Sequence, residues 1–248
     1  MIVMKRILCG LMFLTTSFLI GQQNAGLIKF DRSTYYINIM AKLPFLTQED
    51  IDREMLTWGK DQGKEGQPYE FYFNDQVSVY TMKEDDTNYG YSWKEDDFLL
   101  VRDYKAKTAK DLVSFLGKSY LVESDILRFK WKIQNEIKEI AGYLCMKAET
   151  VDPIKGTPIA AWFTDKIPLY GGPEGYGGLP GMILGLEMDG NAVIVEATEV
   201  QLSDKIDLPI PKKMKGKNIE REAFNKLIGD YIQESIKSRR NPYWQIRY

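Results

Sequence analysis

Few side chains in this sequence could carry covalent or acid–base chemistry, and their types narrow the options before any fold is considered. There is no histidine. A Ser-His-Asp or Cys-His relay therefore cannot be assembled, and the commonest metal ligand is missing. Two-carboxylate chemistry stays open, because glycoside hydrolysis needs only a pair of Asp or Glu. Glu174, inside a glycine-rich segment, and Glu187, just after it, are the candidates. Nothing in their spacing singles them out as a pair, and an isolated strand carboxylate such as Glu187 belongs on a solvated face. The acidic runs Glu84-Asp85-Asp86 and Glu95-Asp96-Asp97 lack the Asp-x-Asp-x-Asp-Gly order of a calcium loop. Residues 171–181 read GGPEGYGGLPG. They contain no Lys or Arg, and a strand-like run follows where a P-loop would open a helix, so phosphate binding is rejected. The sequence thus predicts no catalytic residue, no metal site, no cofactor and no enzyme.

What remains is recognition. Tyr170, Tyr176 and Leu179 lie on or beside the glycine-rich loop, and Trp162 lies in a strand before it. All four are candidate ligand- or partner-binding residues, against the competing reading that they pack in the core. The final residues 243–248, YWQIRY, follow a helix stop and either dock on a partner or fold back onto the sheet.

The elements that must position these residues begin after a targeting segment. Lys5 and Arg6 precede an apolar run over 7–20. That run is shorter than the roughly 20 residues a spanning helix needs and reads as a signal peptide over residues 1–22. Cys9 sits too close to Arg6 for a lipoprotein signal. Residues 23–248 are expected to form one domain, exported to the periplasm or associated with the outer membrane, and soluble after cleavage. Only Cys145 then remains, so no intramolecular disulfide is available, and its strand-like setting suits a buried thiol. The net charge of −2 gives no field for nucleic acid.

Along the chain, residues 35–41 read as a strand. A helix follows, capped by Thr47 with Asp50 three residues on, to about residue 59. Strands are expected at 69–73 and 76–82 across Asn74-Asp75, then at 98–104, 111–116 and 119–123, with surface loops at 60–68 and 83–97. Residues 128–134 are expected to pair with 137–149 across Asn135-Glu136, with a bulge or a close backbone approach at Ala141-Gly142. Further strands are read at 158–164, where Trp162 and Phe163 alternate in face, and at 182–188 and 192–201 around Asp189-Gly190, a strong hairpin signal. Pro180-Gly181 fits a type II turn. A linker at 208–217 leads to a helix at about 218–238, capped by Asn218 and stopped by Asn241-Pro242. Short turns between consecutive strands exclude a parallel sheet. The expected fold is mainly β (α+β): a strongly curved antiparallel sheet of about ten strands with helices on its concave side.

Gly178-Leu179-Pro180-Gly181-Met182-Ile183 resembles the name motif of the GLPGLI family, secreted proteins mainly of Bacteroidota, with Met182 in place of a leucine. Trp131-Lys132-Ile133, residues 140–148, Ala161-Trp162-Phe163-Thr164, Ile167-Pro168 and Gly172-Pro173-Glu174 are similar to the family's hairpin and lead-in. The resemblance implies an exported protein and brings no reaction with it. The strand order is also similar to lipoprotein carriers of the LolA type, which implies a curved sheet with helices over its hollow face. Together these imply a binding module that holds an apolar small molecule, lipid or peptide. The alternatives are an accessory subunit that binds an outer-membrane protein and, third, a carboxylate hydrolase.

Overall fold

The computed structural model describes residues 24–59, 66–83, 98–153, 155–244 and 246–247. The expected signal peptide with Cys9, most of the expected 60–68 loop, and both acidic runs of the expected 83–97 loop lie outside them. Among the described residues no helix is long and apolar enough to cross a membrane.

Among the described residues twelve strands form a single sheet. They are β1 (Ala25–Thr34), β2 (Gln67–Phe73), β3 (Val77–Met82), β4 (Phe98–Asp103), β5 (Thr108–Phe115), β6 (Lys118–Asp125), β7 (Lys132–Ile140), β8 (Tyr143–Val151), β9 (Pro158–Thr164), β10 (Met182–Met188), β11 (Val193–Ser203) and β12 (Lys217–Glu220). Their spatial order is β12-β6-β5-β4-β3-β2-β1-β11-β10-β9-β8-β7. The long β1–β11 pairing joins two antiparallel meanders, β2–β6 and β7–β11. Among the described residues there are three α-helices, α1 (Tyr36–Met40), α2 (Gln48–Trp58) and α3 (Arg221–Lys237). The mainly β class and the curved antiparallel sheet match the expectation. One pairing departs from it: β12 runs parallel to β6, which the long connection from β11 permits.

Register puts one continuous apolar face on this sheet. Phe98 pairs with Val113 and Val113 with Tyr120. Tyr80 pairs with Phe71, Tyr69 with Phe30, and Phe30 with Ala197. Leu186 pairs with Val195 on one side and Ala161 on the other. These residues lie on the inner face, and Phe30, Tyr69, Phe71, Tyr80 and Phe98 form its aromatic centre.

The 170–181 loop shows how far the sheet curls. A Cβ on Gly172 would stand 2.6 Å from Ile183 Cβ of β10, and one on Gly175 would stand 2.4 Å from Arg102 Nη2 of β4. On a flat sheet β10 and β4, five strands apart in the order, would be about 24 Å from each other. Three residues of chain reach at most about 10 Å. The sheet therefore wraps around the loop. The β7 end rolls as well, since Lys138 of β7 bonds Glu196 of β11, four strands away. Helix α3 covers the inner face at the other end, packing Phe224, Leu227, Ile228 and Tyr231 on Phe115, Tyr120 and Val122.

Several local expectations are corrected. Residues 35–41 are not a strand. The ladder ends where Tyr35 N–H donates to Ala192 O, and the next residues turn into α1 with Ile37 and Ile39 buried. Alternating apolar residues over so short a run do not distinguish a strand from one turn of helix. The β7–β8 turn is Ala141-Gly142, both with positive φ (49° and 83°), and the irregularity lies between Ile133 and Ile137. Two positive-φ residues make the hairpin turn that suits strand twist, so the bulge and the turn had been exchanged. Glu220, not Asn218, precedes α3, because residues 217–220 are taken by β12. The Thr47–Asp50 capping box forms as read.

Candidate functional site

The glycine-rich loop is held from several sides. Gly178 N–H donates to Tyr170 O, and Ile183 N–H donates to Gly171 O, each at 2.9 Å. Trp131 Nε1 donates to Gly177 O at 2.9 Å. Gly181 N–H donates to Leu179 O at 2.8 Å, a tight turn about Pro180 in place of the expected type II turn. Gly181 has φ +145°, and a Cβ there would lie 2.0 Å from Thr164 O, so the bend passes too close to β9 for any other residue. Leu179, Met182 and Ile183 are fully buried beyond it.

Within this frame Glu174 points inward and meets two arginines. Arg247 of the tail donates from Nε to Oε2 at 2.8 Å and from Nη2 to Oε1 at 2.5 Å, while Nη1 donates to Tyr69 Oη at 2.6 Å. Arg32 of β1 brings Nε within 3.4 Å of Oε1. Tyr80 Oη donates to the same oxygen at 3.2 Å. The Arg247 guanidinium also lies over the rings of Phe98 (3.9 Å) and Tyr69 (4.6 Å), a favourable cation–π geometry. Burial alone would raise the Glu174 pKa. The charge and hydrogen bonds of Arg247, the charge of Arg32 and the Tyr80 hydroxyl outweigh it and hold the carboxyl at about 2. Burial would lower the Arg247 pKa, but Glu174 more than offsets it and the net shift is upward. Arg32 is shifted down by burial and then by Arg247, with Glu174 opposing.

Beside this cluster lies a cavity of about 570 Å³. The inner face of β1–β5 forms its floor, α3 supplies Phe224 and Ile228 as its roof, and Tyr243, Ile246 and Arg247 of the tail close one side. The tail thus folds back. Its volume falls in the range of a single-ligand pocket, about 300–1,000 Å³.

The four candidates read from sequence do not converge here, and none lines this cavity. Trp162 is buried on the opposite face from Phe163, donates to Glu187 Oε1 at 2.9 Å, and lies under Lys138 and Lys147. Tyr170 is exposed and Leu179 is core. Tyr176 packs on Phe129 with ring centroids 4.8 Å apart and donates to Asp152 Oδ2 at 3.2 Å. Of the two acids considered, Glu174 is the one drawn into the cluster. Arg32, Tyr69, Phe98 and Arg247 were missed. Arg32 carried no signal, whereas an arginine in an aromatic tail was a faint one. Among the described residues no group of three or more His, Cys, Asp or Glu could hold a metal ion. Cys145 is a buried free thiol, its pKa pushed up to about 11 chiefly by burial.

The domain is mainly β, a curled and mostly antiparallel sheet wrapped on a glycine-rich loop, with a helix-roofed cavity. Residues 72–224 match the family described as N-glycanase peptide, N-terminal domain, and the chain belongs to that family. Among solved structures, PNGF-II in space group C2 superposes with a TM-score of 0.54 at 14% identity, covering 82% of this chain and 32% of that one. PNGF-II in space group P21 gives 0.55 at 13% identity, with 82% and 33% covered. At these identities the likeness is one of fold. The chain spans about a third of the length of the PNGF-II chains it matches. No curated protein matches the sequence.

Proposed function

We propose that this chain is a non-enzymatic binding module of the cell envelope that holds an apolar ligand or peptide in the hollow of its sheet. The observation that carries this is the cavity of about 570 Å³ between aromatic strands, α3 and the folded-back tail. A cleft of this volume has the size of a single-ligand pocket. Two further points support a role without catalysis. Both oxygens of Glu174 are engaged by Arg247, so it is poorly placed to give or take a proton. Glu187 is tied to Trp162. The N-glycanase activity that the family description names is in this reading not a property of this chain, which corresponds to an N-terminal domain. The GLPGLI resemblance and export belong to the same proposal.

The test is native mass spectrometry of the protein purified without denaturant, alongside titration with the neutral probe N-phenylnaphthylamine. Retained apolar mass or saturable one-to-one fluorescence is expected. Bare protein together with no probe binding refutes the reading.

A second reading, an interaction subunit of an outer-membrane assembly, is favoured by one observation. Ile137, Leu144 and Met146 are exposed on the β7–β8 hairpin at the open edge of the sheet. Crosslinking in the intact envelope that yields no partner through this hairpin would remove it.

A further inference from the structure

The cavity carries charge of one sign. Arg32 and Arg247 both line it, and among its described lining residues there is no Asp or Glu. Glu174 stands behind the two guanidinium groups, so this trio presents a net positive end to the hollow. Of the five N–H groups of Arg247, three donate to Glu174 and Tyr69. The guanidinium fork keeps two more, and the side chain is 27% exposed. The other walls mix apolar side chains, Phe98, Val113, Phe115, Phe224 and Ile228, with the polar Thr34, Gln67 and Ser114. A neutral apolar ligand would remove water from the cationic end and offer no acceptor in return, which is unfavourable. An anionic head supplies that acceptor, with the shorter and stronger hydrogen bonds of an ionised pair. Glu174 and the rings of Tyr69 and Phe98 already fix the Arg247 fork, so little side-chain freedom is lost on binding.

We propose that the cavity is a site for an amphiphilic monoanion, with its acidic head on Arg247, backed by the charge of Arg32, and its apolar body along Phe98, Phe115, Phe224 and Ile228. This rests on the hollow-binding reading above and adds the charge and polarity of the ligand. A free fatty acid and an anionic bilayer lipid share this chemistry.

The experiment titrates the full chain with decanoate, decanol and phosphatidylglycerol vesicles by calorimetry. One decanoate per protein is expected, about tenfold to a hundredfold tighter than decanol, the range of a charge-assisted hydrogen bond. R247Q should remove that preference. I228W, which fills the cavity from α3, should weaken both. Should R247Q fail to fold, R247K keeps the charge and should keep the preference. Equal affinity for decanoate and decanol overturns the anion site while leaving the hollow-binding reading standing. Binding of neither overturns both. A response to vesicles alone, unchanged by I228W, places recognition on a bilayer surface and overturns the cavity site.

Discussion

Replacing Glu174 with glutamine preserves the shape of the side chain and deletes the one negative charge between Arg32 and Arg247. In the wild type both oxygens accept from Arg247, and Oε1 also faces Arg32 and Tyr80. The carboxyl is held at about 2 against an ordinary value of 4.5. At about 1.4 kcal/mol per pKa unit, that depression stabilises the fold by about 3 kcal/mol at neutral pH. Removing one partner of a buried ion pair costs about 3–5 kcal/mol by a separate line of reasoning. The two figures overlap, and for a chain of this size a loss of about 3 kcal/mol corresponds to roughly 6–12 °C in Tm. Because the folded pKa lies below the unfolded one, this stability is complete above about pH 4.5 and is lost as pH falls towards 2. Urea denaturation of both proteins across this range isolates the effect, since every other carboxylate titrates in both. The gap should be about 3 kcal/mol near pH 7 and should close as the pH approaches 2. A gap that is absent at neutral pH, or that persists undiminished in acid, refutes the ionised cluster.

Three other outcomes follow from the geometry. G181A forces a Cβ to 2.0 Å from Thr164 O at φ +145°; a loss of at least about 3 kcal/mol in chemical denaturation is expected, and a near-neutral result would show that the bend can relax. D111N weakens the buried carboxylate's hold on Arg102 and on Arg221 at the start of α3. Its cost should be about 3–5 kcal/mol, with faster proteolysis in the 204–216 connection, and an unchanged cleavage rate would show that apolar packing alone holds α3. Cys145, buried with its thiol pushed up to about 11 by burial, should resist a thiol-disulfide reagent near pH 8 until denaturant is added; prompt labelling of the native protein would contradict that placement.

Much of the architecture is legible locally. The Thr47–Asp50 box, the Asp189-Gly190 turn, the alternation of Trp162 and Phe163 and the apolar face of α3 each depend on residues a few positions apart. Where two local signals competed, reading failed: at 35–41 one helical turn mimicked a strand, and at 134–142 the turn and the bulge were exchanged. Strand β1 escaped because Arg32 occupies an inward position where alternation calls for an apolar residue. The charge that broke its pattern is the one that matters in the cluster.

The lack of histidine, the lone Cys145 of the described chain and the glycine-rich bend are properties of sequence alone, and they restrict the chemistry without any fold. The site itself is a product of tertiary structure. Arg32, Tyr69, Glu174 and Arg247 come from β1, β2, the β9–β10 loop and the tail, and no spacing rule links them. A charge buried on one segment must be compensated by whichever segment the curled sheet brings against it, and that partner is decided by the curl.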